Sequence, residues 1–159
     1  MKQDGKAIVI GIDVSKKDLH IYESATQSST VIVNTLHAIK CWIKTLKKLP
    51  VSLVVFESTG GYEKLLTNAL HAAKLPSHQA NPTQVFYFGQ MHGRHAKTDS
   101  LDAKLLSDYG QQTHIEAKPL ATIEKQQLNE MTSRLEQLKQ SIVQEKNREQ
   151  CTLTCAKIR

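Results

Sequence analysis

Apolar and polar residues alternate in blocks along this chain, and the block lengths predict its elements. Residues 7–14 (AIVIGIDV) are β-branched and apolar almost throughout, the pattern of a strand buried on both faces. Lys16 and Lys17 mark a turn, and 19–23 and 30–34 read as two more short strands, so these three segments should form an antiparallel meander. Over 38–49, Ile39, Trp42, Ile43 and Leu46 fall at helical spacing with lysines opposite, and Pro50 closes the segment. Residues 51–56 (VSLVVF) form a second apolar run, too short for a helix and long enough for a central strand. Gly60 and Gly61 break the chain before a helix from about Tyr62 to Ala73, and 76–80 is a weak strand. Asn81-Pro82 signals a helix start. Phe86, Tyr87 and Phe88 follow, read as core with base stacking as the alternative, and the segment then turns loop-like. Helical spacing returns over 98–111 through Leu101, Leu105, Leu106 and Tyr109. Beyond Pro119, Leu128, Met131, Leu135, Leu138 and Ile142 recur at alternating three- and four-residue steps, a heptad seam about two repeats long.

The resulting order, three strands, helix, strand, helix, strand, helix, is that of an α/β fold: a mixed sheet with flanking helices, as in RNase H-like domains. A Rossmann-type sheet fits the same pattern. Two parts are expected, a catalytic domain over 1–116 and a helical, coiled-coil-like segment over 117–159. The chain has 159 residues, of which 40% are hydrophobic, enough for one domain with a real core. No apolar run approaches the roughly 20 residues that cross a bilayer, and the first is too short for a signal peptide. Three cysteines, Cys41, Cys151 and Cys155, fit reduced thiols in a cytoplasm.

Charge adds a partner class. Lys and Arg number 21 against 15 Asp and Glu, a net +6. The excess is concentrated: 35–50 holds four lysines and 76–98 holds Arg94, Lys97 and three histidines, both without an acid. Two solvated faces would account for this, and so would a surface that meets phosphates.

Within this basic chain four acids stand out. Asp13 ends the first apolar strand and Glu57 the second, at the carboxyl edge of the sheet where open α/β folds place ligands. Asp99 and Asp102 are three apart on a helix and so share a face. Alone, that pair would also serve as an N-cap and its capping partner. Should all four converge, two carboxylates about 4 Å apart repel by roughly 4 kcal/mol at an effective dielectric near 20. Such a set needs cations, and an all-oxygen set selects Mg²⁺ or Mn²⁺. A pair of ions about 3.5–4 Å apart is the arrangement that processes phosphodiesters. Outside these four acids the chain has 21 basic residues against 11 acidic ones, a basic shell suited to nucleic acid.

Three stretches carry a family resemblance: GIDVSKKDLHIY around Asp13, FESTGGYEKLL around Glu57, and NPTQVFYFGQMHGRHAKTDSLDAKLL ending with Asp99 and Asp102. Together they resemble the DEDD transposases, which include pilin-gene invertases and bridge-RNA-guided insertion-sequence recombinases. The resemblance covers roughly 7–112, and the heptad segment falls where the family has a helical extension. It implies a RuvC-like, RNase H-like domain with Asp13, Glu57, Asp99 and Asp102 as the metal-binding acids. It also implies recombination of DNA, guided by RNA in part of the family. Members continue into a second domain whose serine is thought to attack DNA. This chain stops at Arg159, and the expectation is a piece without that domain.

Around the acids, Lys16, Thr59, Gly60, Arg94, His95 and Lys97 are candidate nucleic-acid contacts: Lys16 lies just past Asp13, Thr59 and Gly60 lead into a helix N-terminus, and the other three precede the acidic helix. The histidines at 20, 37, 71 and 114 receive no role. The heptad seam suggests pairing of copies into a homo-oligomer. Two other readings stay open: an actin-like or sugar-kinase-like ATPase, which also opens on a G-I-D strand, and a non-enzymatic basic coiled-coil fragment that binds nucleic acid.

Overall fold

The computed structural model describes residues 8–93, 99–113, 115, 117 and 123–156, and of 99–101, 123, 126, 130 and 150–156 it gives the backbone only. The chain divides into two compact units, Met1–Leu120 and Ala121–Arg159.

The first unit is built on five strands: β1 (Ile8–Val14), β2 (Asp18–Glu23), β3 (Ser28–Val33), β4 (Val51–Glu57) and β5 (Ser77–Ala80), in the order β3-β2-β1-β4-β5. β1, β2 and β3 form the antiparallel meander, while β4 pairs in parallel with both β1 and β5. The antiparallel β2 and β3 rule out the Rossmann-type sheet. α1 (Leu36–Leu46) and α2 (Lys64–Ala73) join the strands, and α3 (Pro82–Met91) and α4 (Asp99–Gln112) follow β5.

The two-residue period of β1 divides the core. Ile8, Ile10, Ile12 and Val14 point to one layer, where they meet Ile39, Ile43 and Leu46 of α1 and Leu66 and Leu70 of α2. Val9 points to the other, with Leu53 and Val55 of β4, Val85 of α3, and Leu106 and Tyr109 of α4. Burial on both faces is why the first and fourth strands read as unbroken apolar runs.

Several boundaries move for local reasons. α1 ends at Leu46 rather than near Leu49, because the N–H groups of Lys48 and Leu49 turn back to Thr45 and Leu46. α2 begins at Lys64, since the preceding residues close on Glu63 instead of entering the helix. α3 runs on to Met91, past the point where the sequence turned loop-like. Its three aromatics do not all join the core as expected. Phe88 packs into it, while Phe86 and Tyr87 are exposed at 59% and 62%. Successive helical residues point about 100° apart, so three in a row cannot share one buried face.

The second unit contains α5 (Ile123–Ala156), a single helix of 34 residues. Leu128, Met131, Leu135, Leu138 and Ile142 are all exposed along it. No helix among the described residues is long and apolar enough to cross a membrane.

Candidate functional site

Parallel pairing of β1 with β4 ends at Ile12 opposite Phe56. Asp13 and Glu57 each lie one residue beyond that pair, so they occupy neighbouring positions at the carboxyl edge of the sheet. Ile12 and Phe56 face the α1–α2 layer. By alternation Asp13 and Glu57 fall on the opposite side, the side that α4 covers. Both are half-buried.

α4 reaches this side through an unusually close approach. A methyl group on Gly11 would overlap the carbonyl oxygen of Ala103 and the amide nitrogen of Ser107, and would lie 3.1 Å from the carbonyl carbon of Leu106. Only glycine lets backbone meet backbone here. Ser107 Oγ donates to the carbonyl of Val9 at 3.1 Å, and Gly110 sits against Val9, Leu53 and Val55. The helix therefore runs antiparallel to β1, with Ser107 beside Val9 and Ala103 beside Gly11. Four residues of helix advance about 6 Å and two of strand about 6.6 Å. One further turn back along α4, to residues 99–102, thus matches the step from Gly11 to Asp13. Asp102 is half-buried on that turn, and Asp99 is the first residue of the helix.

His20 stands directly opposite Asp13 in the β1–β2 register and, by the same alternation, faces the same side. Nothing in its sequence context had suggested a role. Its place follows from the turn over residues 15–18, closed by the Ser15 amide donating to Asp18, which fixes the register of the hairpin.

The loop after Glu57 has its own anion. Thr59 donates to Glu63 Oε2 through its amide at 3.1 Å and its hydroxyl at 2.9 Å, and the Gly61 amide donates to the same oxygen at 2.9 Å. Burial by itself would raise the Glu63 carboxyl, but hydrogen bonds from Glu63, Gly61 and Thr59 outweigh it and hold the group below its ordinary range. The donors of Thr59, expected to meet a phosphate, are thus engaged within the chain. Gly60 is exposed at a φ of +75°, and Lys16 is exposed in the β1–β2 turn. Arg94, His95 and Lys97 lie outside the described residues.

The donor set suits a hard cation: Asp13, Glu57 and Asp102 offer only oxygen, and Asp99 would add a fourth carboxylate. Among the described residues no three His, Cys, Asp or Glu side chains already form a cluster that could hold a metal ion.

A family model for DEDD transposases of the IS110 type, described as a transposase, matches residues 10–157. The chain belongs to the DEDD transposase family. Among solved structures, the chain is similar to Thermus thermophilus RuvC in complex with a Holliday junction substrate, at 13% identity and a TM-score of 0.52, covering 70% of this chain and 99% of that one. It is also similar to a second structure of T. thermophilus RuvC, at 13% identity and a TM-score of 0.49, covering 69% and 98%. No curated protein matches. The fold of this transposase-family chain is RNase H-like, of the RuvC type, as the family resemblance implied.

Proposed function

We propose that this chain is the metal-dependent catalytic domain of a DNA transposase or site-specific recombinase, acting on DNA phosphodiesters. Asp13, Glu57, Asp99 and Asp102 are its cation-binding carboxylates. The observation that carries the reading is the seating of α4 on Gly11, which aligns the first turn of the acidic helix with the strand-end pair. In this reading a pair of Mg²⁺ or Mn²⁺ ions, when bound, offsets the mutual repulsion of the carboxylates and stabilises charge at the scissile phosphate. The chain's own residues supply the rest. β1 and β4 hold two carboxylates side by side on a rigid sheet edge, and α4 covers that edge and limits access of water. Lys16, Gly60, Arg94, His95 and Lys97 belong to the DNA-contacting surface, where they position the phosphate backbone. Thr59 would join them only by releasing Glu63.

The domain boundary near 116 and the pairing of copies through α5 are part of the same reading, supported by the exposed seam from Leu128 to Ile142. A guide RNA, as in the bridge-RNA branch of the family, and a cytoplasmic setting complete it. Calorimetric titration of Mn²⁺ into the full chain, beside Asp13→Ala and Asp99→Ala, tests the core of the proposal. Each substitution should abolish or greatly weaken binding while leaving the circular dichroism spectrum intact; parent-like binding by both would remove the site. DNA affinity should fall steeply with added salt, and a flat response would remove the phosphate-contacting surface. Competition between labelled RNA and duplex DNA tests the guide.

A further inference from the structure

Beyond the Ile12–Phe56 pair, the ladder between β1 and β4 stops, and it stops just before the two carboxylates. A side chain from another element spans the loops beyond this point. Asn34 follows β3 and precedes Thr35, the N-cap of α1. Its Nδ2 donates to the carbonyl of Ser15 at 2.9 Å and to the carbonyl of Tyr62 at 3.1 Å. Ser15 is two residues past Asp13, and Tyr62 is five past Glu57. One nitrogen therefore joins the loop that leaves β1 to the loop that leaves β4.

Both ends of the tie are firm. The Asn34 backbone amide donates to Lys17 at 2.7 Å, and α1 is anchored by Ile39, Ile43 and Leu46 in the core. Ser15 is held by reciprocal bonds with Asp18, and the 59–61 loop by Glu63. Asn34 Oδ1 is buried and has no hydrogen-bond partner among the described residues. The amide therefore acts through its two N–H groups alone, and a side chain kept only for stability gains nothing from that oxygen. Two donors on one planar nitrogen suit a bridge between two carbonyls, which Asp, Ser and Leu do not supply.

We infer that Asn34 is a positioning residue: it fixes the separation of the loops after Asp13 and Glu57, and through them the spacing of the two strand-end carboxylates toward a divalent cation. The inference rests on the metal-site reading proposed above. The test uses the full chain with Asn34→Leu, which keeps the branched skeleton of four heavy atoms and removes the donors, and Asn34→Ala in case the bulkier leucine is not accommodated. Asp13→Ala reports on the metal reading itself. Three measurements are made: Mn²⁺ affinity by calorimetry, amide hydrogen exchange over 15–18 and 58–62, and the melting temperature.

The expected result is roughly tenfold weaker Mn²⁺ binding, the scale seen when supports of metal ligands are removed. Faster exchange in both loops and a melting temperature near the parent's should accompany it. Parent-like affinity in the Asn34 variants, with binding lost in Asp13→Ala, overturns the positioning role and leaves the metal site standing. Weakening that only follows a global fall in melting temperature assigns Asn34 to stability and overturns it too. Parent-like Mn²⁺ binding by Asp13→Ala overturns the metal reading, and this inference falls with it.

Discussion

Replacing Gly11 with alanine adds one methyl group at the point where α4 touches β1. The new carbon would overlap two backbone atoms of α4, the oxygen of Ala103 and the nitrogen of Ser107, which no rotamer change can move aside. To restore ordinary contact the helix must retreat on the order of 1 Å. Overpacking of this kind costs about 1–3 kcal/mol. The retreat also strains the 3.1 Å bond from Ser107 to Val9, worth about another 1 kcal/mol. A loss of about 3 kcal/mol is therefore expected. With an m-value near 2 kcal/mol/M, the urea midpoint should fall by about 1.5 M. Because α4 carries Asp102 and begins at Asp99, the same shift should weaken Mn²⁺ binding and cost about 100-fold in any phosphodiester cleavage. Ile12→Val is the control on the other face of the sheet, expected to cost about 1 kcal/mol without affecting the metal. Should Gly11→Ala unfold at the parent's midpoint and bind Mn²⁺ equally well, α4 does not rest on β1 at Gly11, and its acids are not brought to Asp13 by that contact.

Other perturbations probe separate parts of the chain. Glu63→Gln should flatten the acid limb of stability. The folded carboxyl lies below its ordinary value of 4.5, so its contribution is complete above that value and is lost as the pH falls through the lowered one; melts from pH 7 to 3 that run parallel for both proteins would refute this. Phe88→Ala should cost about 2 kcal/mol in urea unfolding, because its ring packs edge-on against Tyr109 with centroids 5.3 Å apart. Phe86→Ser and Tyr87→Ser should stay within about 0.5 kcal/mol of the parent, and a larger loss would show that these rings are covered. Leu135→Glu combined with Leu138→Glu should abolish self-association in sedimentation while leaving the melt of the first unit unchanged; an unaltered sedimentation coefficient would remove α5 as the pairing surface.

The sequence displayed the sheet clearly because burial on both faces leaves a strong imprint. Ile8–Val14 and Val51–Phe56 have almost no polar residue to confuse the period, and short links allowed only a meander for the first three strands. The positions of Asp13 and Glu57 at the ends of those runs were legible for the same reason. Other features depend on contacts between residues far apart, which no local pattern encodes. Gly11 reads as one more small residue in an apolar strand, and its purpose appears only when the backbone of Ala103–Ser107 is laid over it. Asn34 resembles any polar residue between a strand and a helix until its amide is seen to meet Ser15 and Tyr62. Glu63 passes for a surface acid at a helix start, yet it takes the donors of Thr59 that seemed available to a phosphate. The aromatics misled in the opposite direction, since composition marked Phe86 and Tyr87 as core and helical geometry turned them outward. Local pattern thus located the strand-end carboxylates, while the contacts of Gly11 with Ala103 and Ser107 and of Asn34 with Ser15 and Tyr62 join residues far apart in sequence and chemically ordinary. Substitutions at Gly11 and Asn34 therefore complement changes to the acids, because a loss of metal binding there, once the accompanying loss of stability is measured, reports on geometry and not on the removal of a ligand.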